Sequence, residues 1–103
     1  MSIIWSDQAD AAFWKIRDYL FLHFGAAAED DYLQAVNEAI KQVAKNPQSG
    51  IAVYELAKDG SVRSILVNRL SKFIYYVEND TLHIADVWDT RQNPKSLVAR
   101  FDK

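Results

Sequence analysis

The chain has 103 residues, half of them hydrophobic and 13% aromatic, enough to bury one core but not two, and unlike the composition of a disordered segment. A formal charge of −2 excludes gripping nucleic acid by bulk electrostatics, and the absence of cysteine excludes disulfides, thiolate nucleophiles and cysteine-held zinc. The charge is uneven: residues 1–60 carry 5 basic and 9 acidic side chains and residues 61–103 carry 7 and 5, so an anionic partner would meet the C-terminal half.

Ile3-Ile4-Trp5 is a short β-prone run, followed by Ser6 and Asp7 as a helix cap and a first-turn acid. The start lacks the basic region and apolar run of a secretion signal, and no segment approaches the roughly 20 apolar residues of a membrane span. A cytoplasmic location with no membrane partner is the expectation.

Ala9, Phe13, Ile16 and Leu20 recur at helical spacing, with Ala12 and Phe24 widening the stripe, and predict a first helix over about 7–24. Gly25 breaks it. Glu29-Asp30-Asp31 sits near the start of a second helix, whose stripe of Leu33, Val36, Ile40 and Val43 ends at Asn46-Pro47, where proline cannot continue the ladder. A short connection makes the pair an antiparallel hairpin.

After Gly50 the spacing becomes that of strands. Residues 51–56 form the first, Asp59-Gly60 reads as a type I′ turn, and residues 61–68 follow. Phe73, Tyr75 and Val77 alternate with Lys72, Ile74 and Tyr76 in the next strand, which puts Tyr75 inward and Tyr76 outward. Asn79-Asp80 closes that strand before a last one over 81–88. Beyond Pro94, Leu97, Val98 and Phe101 make a brief apolar patch suited to docking on the domain. The reading is one domain over 1–103, α+β, with a short N-terminal strand and a helical hairpin packed on an antiparallel sheet in the order β-α-α-β-β-β-β.

This order, with Trp5 before the first helix, Asn46-Pro47-x-x-Gly50 after the second, Val62-Arg63 opening a hairpin arm, Phe73-Ile74-Tyr75-Tyr76-Val77 and the ending Asp89-Thr90-Arg91-Gln92-Asn93-Pro94, resembles the RelE/ParE superfamily of toxins from type II toxin–antitoxin systems. The resemblance implies a growth-inhibiting toxin, as in plasmid stabilisation, neutralised by a cognate antitoxin. Some members cut messenger RNA on the ribosome; the ParE-like members poison DNA gyrase and hydrolyse nothing.

RNA cleavage needs a base for the 2′-hydroxyl, an acid for the leaving oxygen and cations for the phosphorane. The family's cation positions map here to Arg63, Lys72 and Arg91, the candidate catalytic residues, all expected on the outward sheet face. Ile65 stands where a second lysine would be, Leu97 near a terminal tyrosine. A second nuclease pattern matches Glu55 and Arg63 but lacks its terminal His-Tyr. The incomplete set favours ParE-like inhibition by binding. The alternatives are a RelE-like ribosome-dependent endoribonuclease and a non-toxic binding module of the same fold.

Free histidine, with a pKa near ~6.5, suits proton transfer, but a lone strand histidine such as His83 is more often a packing residue. Unbroken alternation turns Asp86 away from His83 and Asp89, so no metal site gathers, and no phosphate-binding glycine loop or nucleophile elbow occurs; no cofactor is implied. Trp14, Arg17 and Phe21 form a second stripe on the first helix that, with Tyr76 and His83, makes a candidate surface for the antitoxin or for a homodimer.

Overall fold

The computed structural model describes residues 1–90. Arg91 and the patch of Leu97, Val98 and Phe101 lie outside the described residues. The elements are β1 (Ser2–Trp5), α1 (Asp7–Phe24), α2 (Ala26–Lys45), β2 (Ile51–Ala52), β3 (Arg63–Val67), β4 (Ser71–Glu78) and β5 (Thr81–Asp89), with a 3₁₀ turn at Pro47–Ser49.

Ser6 stops the first strand and starts the first helix. It stays extended, its Oγ accepts the Ala9 N–H at 2.9 Å, and the same hydroxyl donates to the Ala85 carbonyl at 2.7 Å. One side chain thereby caps α1 and fastens it to β5. At the far end the chain reverses through Gly25 alone, with φ 91° and ψ −179°, a region reserved for glycine. Its N–H closes α1 on the Phe21 carbonyl at 3.0 Å, and α2 begins at the next residue.

The buried stripe of α2 is Tyr32, Val36, Ala39 and Val43, turned slightly from the expected one; Leu33 and Ile40 are only half-buried. Tyr32 draws the helix round. Its ring tilts against Phe13 at 6.0 Å, and its hydroxyl meets that of Ser71 at 2.9 Å in the core. Asn46 then adopts the extended conformation that a following proline imposes.

The sheet runs β1-β5-β4-β3-β2. Strands β2 to β5 are the expected antiparallel meander, but β1 lies parallel to β5, so the sheet is mixed. Both helices separate β1 from the other strands, and no hairpin dictates its direction. The type I′ turn is at Asn79-Asp80, with φ values of 53° and 57°, where Glu78 pairs with Thr81.

Asp59-Gly60 departs from expectation. The strand foreseen over 51–56 ends at Ala52, because the Leu56 and Ala57 N–H groups both donate to the Val53 carbonyl and wind the chain into a turn. Only Gly60 has positive φ; Asp59 instead accepts the Ser61 N–H at 2.9 Å, a local bond that needs no left-handed backbone, and the Ser61 side chain first, then this N–H, holds its carboxyl below the usual range. Residues 53–62 therefore form a loop whose base is the Val53 to Val62 hydrogen bond.

β5 carries a bulge. Ile74 pairs with Asp86 and Tyr75 with Ile84, leaving Ala85 as the extra residue. Leu82 and Ile84 face the helices before it and Val87 after it. The inserted residue puts Asp86 on the side of His83, contrary to unbroken alternation.

The core fills the space between helices and sheet, with Ala9, Leu20, Tyr32, Val36 and Val43 against Val67, Phe73, Tyr75, Leu82, Ile84 and Val87. Trp5 closes its end, 5.0 Å from the Phe13 ring and 5.6 Å, edge-on, from Phe73. Such ring pairs add about 0.5–1.5 kcal/mol each to the burial of their area.

Gly25→Ala is expected to lower stability by about 1–3 kcal/mol, measured by urea denaturation, because no L side chain is at ease at this φ and ψ. Burial pushes the Tyr32 hydroxyl up from 10.0 to about 12, opposed by Ser71 and assisted by the Asp89 charge. The folded state thus holds this proton more tightly than the unfolded chain. Its contribution, roughly 2–3 kcal/mol, is complete below pH 10 and is lost as pH rises towards about 12. The stability difference between wild type and Tyr32→Phe should shrink across that window and stay constant below it.

Candidate functional site

The sheet face turned away from the helices is divided in two. At one end Ile74 and Trp88 are buried beneath Leu56 and Val62 of the 53–62 loop, a second apolar cluster that the sequence pattern did not announce. The strand-like run Ile51-Ala52-Val53-Tyr54-Glu55-Leu56 masks it, because the chain winds into a turn after Ala52. Glu55, a candidate partner for Arg63, sits exposed on this loop rather than on a strand. Towards the other end Tyr76 and His83 pair directly in register, and their rings stack at 4.6 Å with 5° between planes. Both are half-buried and offer one flat aromatic platform. Tyr75 is buried in the main core and Tyr76 is not, as alternation predicts.

Arg63 and Lys72 do not share a face. Arg63 pairs with core-facing Tyr75 and follows the alternation of Ile65 and Val67, which pack on the core. Its Nη1 donates to the Gly50 carbonyl at 2.8 Å. Beside it the Tyr75 hydroxyl accepts the Gly50 N–H at 2.8 Å and donates to the Pro47 carbonyl at 2.9 Å. Burial raises the pKa of Tyr75, partly offset by the Gly50 hydrogen bond and the Arg63 charge, so the hydroxyl remains a donor at neutral pH. Arg63 is thus held at the helix side of the sheet edge, and the outward position expected of it is corrected. Lys72 is exposed on the other face, between Leu66 and Trp88 in register. Of the three cations foreseen around one phosphate, the described residues contain two, and the sheet lies between them. Arg91 lies beyond the described residues.

On α1 the foreseen stripe is at the surface. Trp14 is 49% and Phe21 53% exposed, and the Arg17 guanidinium lies 4.0 Å over the Trp14 ring while its Nε donates to Glu29 of α2 at 3.0 Å. That pairing stiffens the stripe and ties it to the second helix. Sequence reasoning missed how far the apolar surface extends: Leu22 and Phe24 are exposed as well, although Phe24 was expected to widen the core stripe. The signal was the run Tyr19-Leu20-Phe21-Leu22-His23-Phe24, which is apolar around the whole helix and cannot all face one core.

Among the described residues no group of three or more His, Asp or Glu side chains is placed to hold a metal, and no helix is long and apolar enough to cross a membrane.

The model of the family described as "ParE toxin of type II toxin-antitoxin system, parDE" matches residues 3–94. No curated protein matches the chain in sequence. Among solved structures, the chromosomal ParDE TA system from P. aeruginosa superposes with a TM-score of 0.68 at 18% identity, covering 88% of this chain and 97% of that one. The YoeB/ParE toxin from Agrobacterium tumefaciens gives 0.59 at 13% identity, over 86% and 98%. The YoeB dimer from Staphylococcus aureus gives 0.57 at 18%, over 85% and 94%. At these identities the superpositions show a common fold, two helices on a five-stranded mixed sheet; the family match over nearly the whole chain adds descent. The chain belongs to the ParE toxin family of type II toxin–antitoxin systems.

Proposed function

We propose that this toxin acts in the cytoplasm by binding and inhibiting a protein target, DNA gyrase being the favoured one, and that a cognate antitoxin neutralises it by covering the exposed apolar surface of the helical hairpin. The observation that carries the first half is the separation of Arg63 from Lys72 by the sheet. Stabilising a phosphorane requires cations converging on one point from one side, at hydrogen-bonding distance. Arg63 is already engaged with the Gly50 carbonyl, and turning it through the sheet edge would abandon that bond.

The second half rests on Trp14, Phe21 and Leu22. Large apolar side chains gathered on one exposed helical surface, with a guanidinium stacked among them, are the composition of a protein interface core. The ParDE system from P. aeruginosa and the YoeB-YefM complex from S. aureus are fold neighbours described as toxin–antitoxin assemblies, which supports an antitoxin as the occupant.

The decisive experiment sets purified toxin against gyrase in a supercoiling assay and, in parallel, against ribosomes translating a defined message. Loss of supercoiling with the message intact is the expected result; ribosome-dependent cleavage of the message would overturn the reading. A stability measurement separates the two cations: Arg63→Ala is expected to cost about 1–2 kcal/mol in urea denaturation through its lost hydrogen bond, and Lys72→Ala less than about 0.5 kcal/mol.

A further inference from the structure

β1 is an edge of the sheet, paired on one side only, with β5. In that parallel ladder the Ser2 and Ser6 N–H groups donate to the Asp80 and Ile84 carbonyls at 3.3 and 3.0 Å, so the even-numbered residues turn their backbone groups towards β5. Ile3 and Trp5 therefore turn theirs outward. These N–H and C=O groups have no hydrogen-bond partner among the described residues. Natural sheets protect a free edge with charged side chains, proline or a bulge, and Ser2–Trp5 contains none of them. The opposite edge differs, because β2 is two residues long and runs straight into the 53–62 loop.

We infer that β1 is a site of self-association, at which two copies of this chain pair their β1 strands antiparallel about a two-fold axis, with Ile4 facing the partner's Ile4. No residue of the α1 stripe takes part in this contact.

The register follows from the outward groups. Only odd-numbered residues can exchange hydrogen bonds across this edge, and directly opposed side chains must share a face. Trp5 packs on the helix side of the sheet and Ile3 follows it by alternation, whereas Ile4 lies on the open face beside His83. Setting Ile3 against the partner's Trp5, and Trp5 against the partner's Ile3, engages every outward group of both strands. The two Ile4 side chains then meet as a non-hydrogen-bonded pair, the kind whose side chains stand closer.

A second copy is the occupant that the chemistry of the edge fits. The strand is uncharged, so two copies meet without like-charge repulsion, and Ile3 and Ile4, 42% and 52% exposed, each gain apolar cover. Tyr76, His83 and Ile4 stand directly in register across β4, β5 and β1. A two-fold axis at Ile4 continues that row through the partner's Ile4, the partner's His83 and the partner's Tyr76, an apolar and aromatic ribbon across six strands, about 24 Å long. A strand of four residues buries a small area, so the dimer is reversible, with a dissociation constant on the order of 10–100 µM.

The test uses the full chain, whose lack of native cysteine lets a single thiol be introduced cleanly. Sedimentation velocity should show monomer at about 1 µM and mostly dimer at about 500 µM. Ile4→Lys, which opposes two charges at the axis, and Ile3→Pro, which removes an outward N–H that β5 does not use, should each weaken association at least ten-fold. Urea denaturation checks the fold of both variants, and Ile4→Lys, at an exposed position, decides where the proline perturbs the strand. Under mild oxidation Ile4→Cys should give a disulfide-linked dimer, while Leu66→Cys, at a position just as exposed, should not. Hydrogen exchange at the Ile3 and Trp5 amides should slow as the chain is concentrated. A monomer at every concentration, association unchanged by Ile4→Lys, or cross-linking at Leu66→Cys but not at Ile4→Cys each overturns the inference. So does exchange that slows only when the cognate antitoxin is added, which would make an antitoxin strand the occupant of the edge.

Discussion

The Tyr75 hydroxyl, caught between the Pro47 carbonyl and the Gly50 N–H, is the contact on which the rest of the molecule depends. It joins the end of the helical hairpin to the middle of the sheet, and so fixes where the helices sit over the strands. Gly50 makes it possible. A Cβ there would stand 2.6 Å from both the Ser64 carbonyl oxygen and the Tyr75 hydroxyl, a clash that would drive the turn away from the sheet. Arg63 completes the arrangement through the Gly50 carbonyl. Three polar groups that would be costly to bury singly are satisfied together, which is why such a network is rigid.

That arrangement also bears on the proposed inhibition by binding. A toxin that hydrolysed a phosphodiester would need its cations free on the open face, yet the arginine foreseen for the task is holding the hairpin to the sheet. The open face is further narrowed by the 53–62 loop, which turns Ile74 and Trp88 into a second core; among the described residues the Tyr76–His83 platform, Ile4, Leu66 and Lys72 stay towards solvent. The proposed inhibition by binding looks instead to α1. The exposed stripe of α1, stiffened by Arg17 against Trp14 and Glu29, is preorganised, so little side-chain freedom is lost on binding.

The two faces of α1 thus serve different ends. Ala9 and Leu20 enter the core, Ile16 and Ala12 pack half-buried against it, and Trp14, Phe21 and Leu22 remain outside. A helix apolar on so many sides asks for more cover than one sheet provides. The single-residue connection at Gly25 holds α2 too close to swing over that surface, leaving it to partners.

The sequence by itself determined the elements that local chemistry specifies: the Ser6 cap, the break at Gly25, the stop at Asn46-Pro47, the inward Tyr75 and outward Tyr76, and the order of strands. Each depends on neighbours a few residues away. It also carried enough joint order to reveal the family. Tertiary structure alone decided the rest. The parallel pairing of β1 is set by an edge far away in sequence; the bulge at Ala85 reverses the parity that alternation assigns to Asp86; and the 53–62 turn is chosen because Leu56 and Val62 find Ile74 and Trp88 to cover. Arg63 was visible as a cation, but its face followed from the register of β3 on β4 and its role from Gly50. A one-residue change in register turns a strand over, and only long-range packing fixes that choice.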